Sequence, residues 1–452
     1  MESVKELQCM LLDQNREKKN SQYTVGYDLG DDFSQISYRL NGREDVNTLP
    51  IITGTEQYNI PTVVCKRYGS NQWFYGLEAL RRAAAGDGTL VDHLLHRAKA
   101  GEQVEIEGNL YDAVALLTIF LKRSLSLLNF VATLTGLTAM VITTPQLDET
   151  MIAILEDVVA GLSLPTKNIF FQSYEESFYH YMVNQPEELW RGTTLLFDYR
   201  EDRMRIKALD FNRHTTPVVG IVTSSREEEF PAKIMTEGGQ IENRVKMDSR
   251  FYDLVQEEVQ ERLVSSVYLI GDGFTGEWMV SSLELLCRGG RRIFQGNNLY
   301  SKGATYDAAQ HLGTTHPGHM FLGKSRLKAN IGMMIRKDGG DVYMPLLEAG
   351  QNWYDAHAQY DVYLEKDPSF TLRITPLTPA LEISHSEAKE CVQEEVIHLE
   401  GLPDRGRAMT RLRLTLQMKD VSLLQVQVED LGFGEIFPAT HQKWKSQIQI
   451  MQ

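Results

Sequence analysis

The chain has 452 residues, enough for about two or three domains of ordinary size. Hydrophobic residues make up 42% and charged ones 24%, so each domain can bury a core, while a net charge of −15 argues against a nucleic-acid partner, which needs clustered Lys and Arg. The four cysteines, Cys9, Cys65, Cys287 and Cys391, form no CxxC and imply neither a disulfide framework nor a zinc site; a cytoplasmic location is expected.

Residues 1–22 are charged and polar, with no apolar signal core, and read as an N-terminal extension. Thr24 to Tyr27 form a strand running into Asp28-Leu29-Gly30; after a polar turn, Ser34 to Leu40 alternates like a returning strand. The uncharged stretch from Ser124 to Leu147 has the length of a membrane span. Its Ser and Thr content, Asn129, Gly136 and Pro145 favour a soluble reading instead, with Ala139 to Ile142 as a buried strand and no membrane partner. A loop from Pro145 to Glu149 leads into a helix marked by Met151, Ile152, Leu155, Val158, Val159 and Leu162.

The same order then recurs. Thr193 to Phe197 run into Asp198, Arg203 to Leu209 return, Val267 to Ile270 form a strand, Gly271-Asp272-Gly273 a tight loop, and Trp278 to Cys287 a helix. In both copies an Asp stands where the first strand meets its turn, which suggests two related α/β halves around a cleft. The stripe Phe251, Leu254, Val255, Val259 and Leu263 reads as core, and Glu227-Glu228-Glu229 as a solvated loop. Residues 311–324, with Gly313, Pro317, Gly318 and Gly323, form the expected linker. His311, His316 and His319 lie in it without Cys or acidic ligands at fixed spacing, so no metal site is expected there. Beyond it, Phe370 to Thr375, Arg411 to Met418 and Leu424 to Glu429 alternate with period two, as strands of a sandwich do.

At this point the residues resemble the DnaK-type (seventy-kilodalton heat-shock) chaperones of the actin-like ATPase superfamily. Gly26-Tyr27-Asp28-Leu29-Gly30-Asp31-Asp32-Phe33-Ser34 looks like their first phosphate loop, G-I-D-L-G-T-T-x-S. Ile60-Pro61-Thr62-Val63-Val64 and Gly76-Leu77-Glu78-Ala79 resemble the next segment, and Val141 to Pro145 the strand V-T-V-P. Leu269-Ile270-Gly271-Asp272-Gly273 looks like the adenosine motif, and Lys302-Gly303-Ala304 like the turn after it. Past the linker, Asn330 to Met333, Met344 to Leu347 and Leu399 to Pro403 look like strands and turns of the substrate-binding sandwich. The ordered series covers most of residues 23–437.

The resemblance implies an actin-like, duplicated ribonuclease-H-like α/β domain over 23–310, the linker 311–324, an all-β sandwich over 325–440, and a tail over 441–452. It implies ATP or ADP with Mg²⁺ between the halves, Asp28 and Asp198 orienting the ion through water, and Gly30, Asp31, Asp32, Gly271, Gly273 and Gly303 around the nucleotide. The competing reading is that these glycines merely make turns and both carboxylates cap strands. Departures from the family are large. The second phosphate loop, D-x-G-G-G-T in the family, is Asp198-Tyr199-Arg200-Glu201-Asp202-Arg203 here, so its three glycines are lost. Asp31 and Asp32 replace two Thr residues, and a carboxylate roughly 5 Å from a phosphate charge costs about 3 kcal/mol. The family's catalytic Lys aligns near Leu80, with Arg81 beside it, and the segment from Leu209 to Val267 is short for the adenine-gripping subdomain. With roughly 15 residues after the last resembling segment, a helical lid like the family's is not expected. The expectation is a chaperone-like protein, a degenerate ATPase at most, with a polypeptide client or protein partner. The rival expectation is a catalytically dead scaffold that binds no nucleotide.

Overall fold

In the computed structural model, which describes residues 21–450 apart from 53, 201, 214–216, 231–239, 261, 297, 314–317, 324, 338, 366 and 377–391, alternating apolar and hydroxyl side chains pair Tyr23–Leu29 (β1) with Phe33–Leu40 (β2) as a hairpin. Short strands follow at Asn47–Thr48 (β3), Ile60–Pro61 (β4), Val64–Arg67 (β5) and Trp73–Tyr75 (β6), then helix Gly76–Ala84 (α1), strand Gly88–Val91 (β7) and helix Leu94–Lys99 (α2). A hairpin of Gln103–Ile106 (β8) and Asn109–Asp112 (β9) ends on Asp112, whose carboxylate accepts from Val114 N–H and starts helix Ala113–Ser124 (α3). Strand Leu137–Thr144 (β10) runs parallel to β1, and Asp148 caps helix Glu149–Leu162 (α4). Strand Ile169–Ser173 (β11) leads into helix Tyr174–Val183 (α5), capped by Ser173.

The pattern then repeats. Thr193–Arg200 (β12) pairs antiparallel with Arg203–Asn212 (β13), followed by Val218–Glu229 (β14) and helix Gln240–Gln260 (α6). Val264–Ile270 (β15) runs parallel to β12; helix Ser281–Cys287 (α7), strand Arg292–Gln295 (β16) and helix Leu299–Gln310 (α8) complete the half. One sheet has the order β11-β10-β1-β2 and the other β16-β15-β12-β13, so the two halves place their strands alike. A buried cluster around Phe197, Tyr199, Phe251, Phe274 and Trp278 forms the core of the second half.

The described chain divides into two units, Met1–Phe211 with Val222–His316, and Asn212–Ile221 with Pro317–Gln452. In the second unit His319–Phe321 (β17) pairs with Val218–Gly220 at the start of β14. It contains one four-stranded sheet of Ala329–Lys337 (β18), Gly340–Leu347 (β19), Ser369–Pro376 (β21) and Gln393–His398 (β22). The other comprises His357–Leu364 (β20), Thr410–Met418 (β23), Leu423–Gly432 (β24) and Lys443–Gln449 (β25). Alternate residues of β23 and β24, from Leu412 to Val428, are buried.

Several local expectations need correction. The segment 441–452 is no tail: residues 443–449 complete a sheet through full pairing with β24, which Lys- and Gln-rich sequence concealed. The expected linker contains β17. The helix placed at Trp278 starts only at Ser281, because the Asp248 carboxylate accepts from Ser281 and Ser282 N–H, while Trp278 turns into the core and donates to Gly273 O. Leu263, expected in a core stripe, is exposed at 90%, whereas Phe251, Leu254 and Val255 are buried. The uncharged stretch from Ser124 to Leu147 is divided between the end of α3, short 3₁₀ turns and β10. By length and composition alone, Ala113–Phe130 could cross a membrane; 44% of it is buried in the fold.

Candidate functional site

Asp28 and Asp198 occupy equivalent positions in the two halves, near the ends of β1 and β12, and both are 1% exposed. The repeat also equates the helices that follow β11 and β16. The first begins with Tyr174 and the second carries Tyr300 in its first turn. Tyr174 donates its phenol proton to Asp28 Oδ1 at 2.6 Å, and Tyr300 donates to Asp198 Oδ2 at 2.9 Å. The two phenol rings stack on each other with centroids 3.9 Å apart.

Arg200, two residues beyond Asp198 on the same strand, returns its guanidinium between the carboxylates. Its Nε lies 3.0 Å from Asp198 Oδ1 and its Nη1 3.9 Å from Asp28 Oδ2. The group also sits 5.7 and 5.2 Å from the ring centroids of Tyr174 and Tyr300, and Lys207 Nζ 6.0 and 5.8 Å from the same rings. Two carboxylates, two phenols and Arg200 therefore share one buried cluster, with Lys207 against the phenol rings. Burial pushes the Asp28 carboxyl up to about 6, against the pull of Arg200 and the Tyr174 hydrogen bond. Burial and the neighbouring carboxylates raise both phenols well above their ordinary range. Burial alone would lower Arg200, but Asp198, Tyr174 and Asp28 outweigh it and hold the group charged. Lys207 is lowered, chiefly by burial.

This arrangement does not fit a hydrated Mg²⁺. Such an ion takes near-octahedral oxygen ligands and keeps several waters. Here each carboxylate gives one oxygen to a phenol and turns the other toward a guanidinium that already supplies the countercharge.

The other expected site residues divide. An added Cβ on Gly30 would meet Phe33 O at 2.5 Å and Tyr174 Oη at 3.3 Å, so this glycine closes the hairpin turn beside Asp28. Gly271, with φ +101°, and Gly273 lie against Tyr199, where added Cβ atoms would stand 2.1 Å from its carbonyl oxygen and 2.2 Å from its ring. Both let β12 approach the loop after β15. Gly303 is not in a turn but inside α8, and an added Cβ would lie 1.9 Å from Ser177 O of α5. Asp31 sits apart from the cluster: its carboxylate accepts from His96 N–H at 2.9 Å and meets His93 Nδ1 at 2.8 Å. Asp32 lies 3.9 Å from the same ring. Arg81, beside Leu80, is exposed and lies 3.9 Å from Glu78.

Sequence reasoning missed Tyr174, Tyr300, Arg200 and Lys207. Arg200 was visible only as the residue filling a glycine position, and the matched tyrosines only once the two halves are aligned by strand order. The family model described as "Family of unknown function (DUF5716) C-terminal" matches residues 45–324, and one described as "Domain of unknown function (DUF8552)" matches residues 326–450. No curated protein matches the chain.

Proposed function

We propose that this chain, which belongs to the family of unknown function DUF5716 (C-terminal), is a nucleotide-independent binding scaffold of heat-shock-type architecture. In this reading the first unit is an actin-like, duplicated head whose cleft has become a fixed core, and the second a sandwich that binds extended polypeptide. The observation that carries the reading is Arg200 between Asp28 and Asp198, where the resemblance places a cation. The repeated strand order and the paired positions of the two carboxylates support the head; two four-stranded antiparallel sheets support the sandwich. A cytoplasmic setting accords with the free thiols of Cys65 and Cys287.

The rival reading keeps weak ATP or ADP binding with Mg²⁺, which requires Arg200 to swing out of a buried ion cluster. A thermal-shift titration of the full chain separates the two. Ligand that binds only the native state stabilises it by about 2.7 kcal/mol at a hundred times its Kd. No shift is expected with ATP, ADP and Mg²⁺ at millimolar concentration, and no turnover. A saturable shift that Asp28→Asn removes would establish the nucleotide reading instead.

A further inference from the structure

Away from the Arg200 cluster, α5 and α8 bring four ionisable side chains together. A carboxylate and a histidine stand four residues apart on each, Glu176 with His180 within α5 and Asp307 in α8 with His311 at its C-cap, and that spacing puts both on one helix face. Gly303 lets the two helix backbones close to contact at Ser177. His180 Nε2 consequently lies 3.2 Å from Asp307 Oδ1 and 3.8 Å from Glu176 Oε1, and His311 Nε2 lies 3.4 Å from Asp307 Oδ2. The side chains of Glu176, His180 and Asp307 are 1, 5 and 7% exposed. Neither ring nitrogen of His180 makes a hydrogen bond, although the ring is buried and points Nε2 into the carboxylates. The half-exposed His311 ring is stacked on Phe170 at 3.7 Å, which fixes its plane at the solvent side of the group.

For Glu176, His180 and Asp307 these are spacings of ligands around one ion, while His311 reaches only the second oxygen of Asp307. Atoms about 2.0–2.1 Å from a tetrahedral zinc stand about 3.3 Å from one another. Glu176, His180 and Asp307 each offer one ligand atom within 4.8 Å of the others. The buried imidazole of His180 favours zinc over Mg²⁺ or Ca²⁺, which take oxygen ligands. A dication also offsets two buried carboxylates, whose desolvation is otherwise costly. We propose that Glu176, His180 and Asp307 hold a structural zinc ion that ties α5 to α8, with His311 drawn in beside Asp307 as the fourth ligand at the solvent side. The expectation that the histidines after residue 310 lack an acidic ligand at fixed spacing overlooked Asp307, four residues before His311.

The test uses the full chain stripped with EDTA and titrated with CoCl₂, whose tetrahedral complexes absorb strongly in the visible. One Co²⁺ per chain is expected to bind with intense bands, and one equivalent of Zn²⁺ to abolish them. His180→Gln should weaken binding more than about 100-fold, beyond the effect of outer-shell changes. His311→Gln, at the exposed end of the group, leaves the buried trio in place and should lower both affinity and band intensity. His93→Gln serves as control, because Asp31, Asp32 and His93 form the other cluster of ligand-type atoms among the described residues. Absence of the bands in wild type, their survival in both His180→Gln and His311→Gln, or their loss in His93→Gln would overturn the assignment.

Discussion

Arg200 determines what the central cluster can do. A guanidinium between two carboxylates is held by charge on both sides, and removing it leaves two buried anions facing each other. Arg200→Met is expected to cost about 3–5 kcal/mol in urea unfolding, whereas the triple variant Asp28→Asn/Asp198→Asn/Arg200→Met should recover most of that loss. If both variants unfold alike, the pairing is not what stabilises the cluster. Asp28 adds a pH dependence. Its carboxyl stands at about 6 in the folded chain against an ordinary 3.8, so between those values the native state keeps a proton that the unfolded state has released. Stability therefore falls as pH rises through that window, and the ionised group costs about 3 kcal/mol above it. Relative to Asp28→Asn, wild type should gain about that amount between about pH 7 and about pH 4. An equal difference at both pH values would refute the assignment.

At the scale of elements, much was legible because local chemistry and final environment agree. Thr24–Tyr27 and Thr193–Phe197 are short β-prone runs ending at an Asp, both faces of each are buried, and both are central strands. The C-terminal alternation did the same for β23 and β24. What failed was long-range. Nothing local in Lys443–Gln449 shows that β24 will accept it, and nothing in Lys302-Gly303-Ala304 separates a turn glycine from a helix-crossing one. Backbone contact with α5 decides the latter. The site divided likewise: Asp28 and Asp198 could be named from motif position, but their phenol partners come from helices that only the fold brings near. Gly303→Ala tests the crossing. Its Cβ would overlap a backbone oxygen that cannot move without shifting α5, so a loss of about 3 kcal/mol or more is expected in thermal or urea melts. Gly296→Ala, which meets open space, should change stability by less than about 0.5 kcal/mol. Equal effects would mean that the helices can part freely.

On the proposed scaffold reading the head supplies no nucleotide-driven switch, and polypeptide binding is expected on the second unit's own surface. That unit offers an edge. β19 pairs with β18 on one side and, among the described residues, with no strand on the other. Val342 and Tyr343 are exposed there, and Met334 and Ile335 stand opposite them on β18, Met334 exposed at 44%. An extended apolar segment can add to such an edge through main-chain hydrogen bonds, with side-chain contacts to Met334 and Tyr343 supplying preference. We expect weak, fast-exchanging binding of apolar peptides to the full chain, read as methyl shifts of Met334 and Val342 by NMR. The affinity should be the same with and without ATP and Mg²⁺, unaltered by Asp28→Asn, and reduced about tenfold by Tyr343→Lys, which places a charge on the edge. Peptide affinity that changes with ATP would show that the head still signals, and the scaffold reading would fail. Shifts confined to other strands, indifferent to Tyr343→Lys, would move the interaction away from β19.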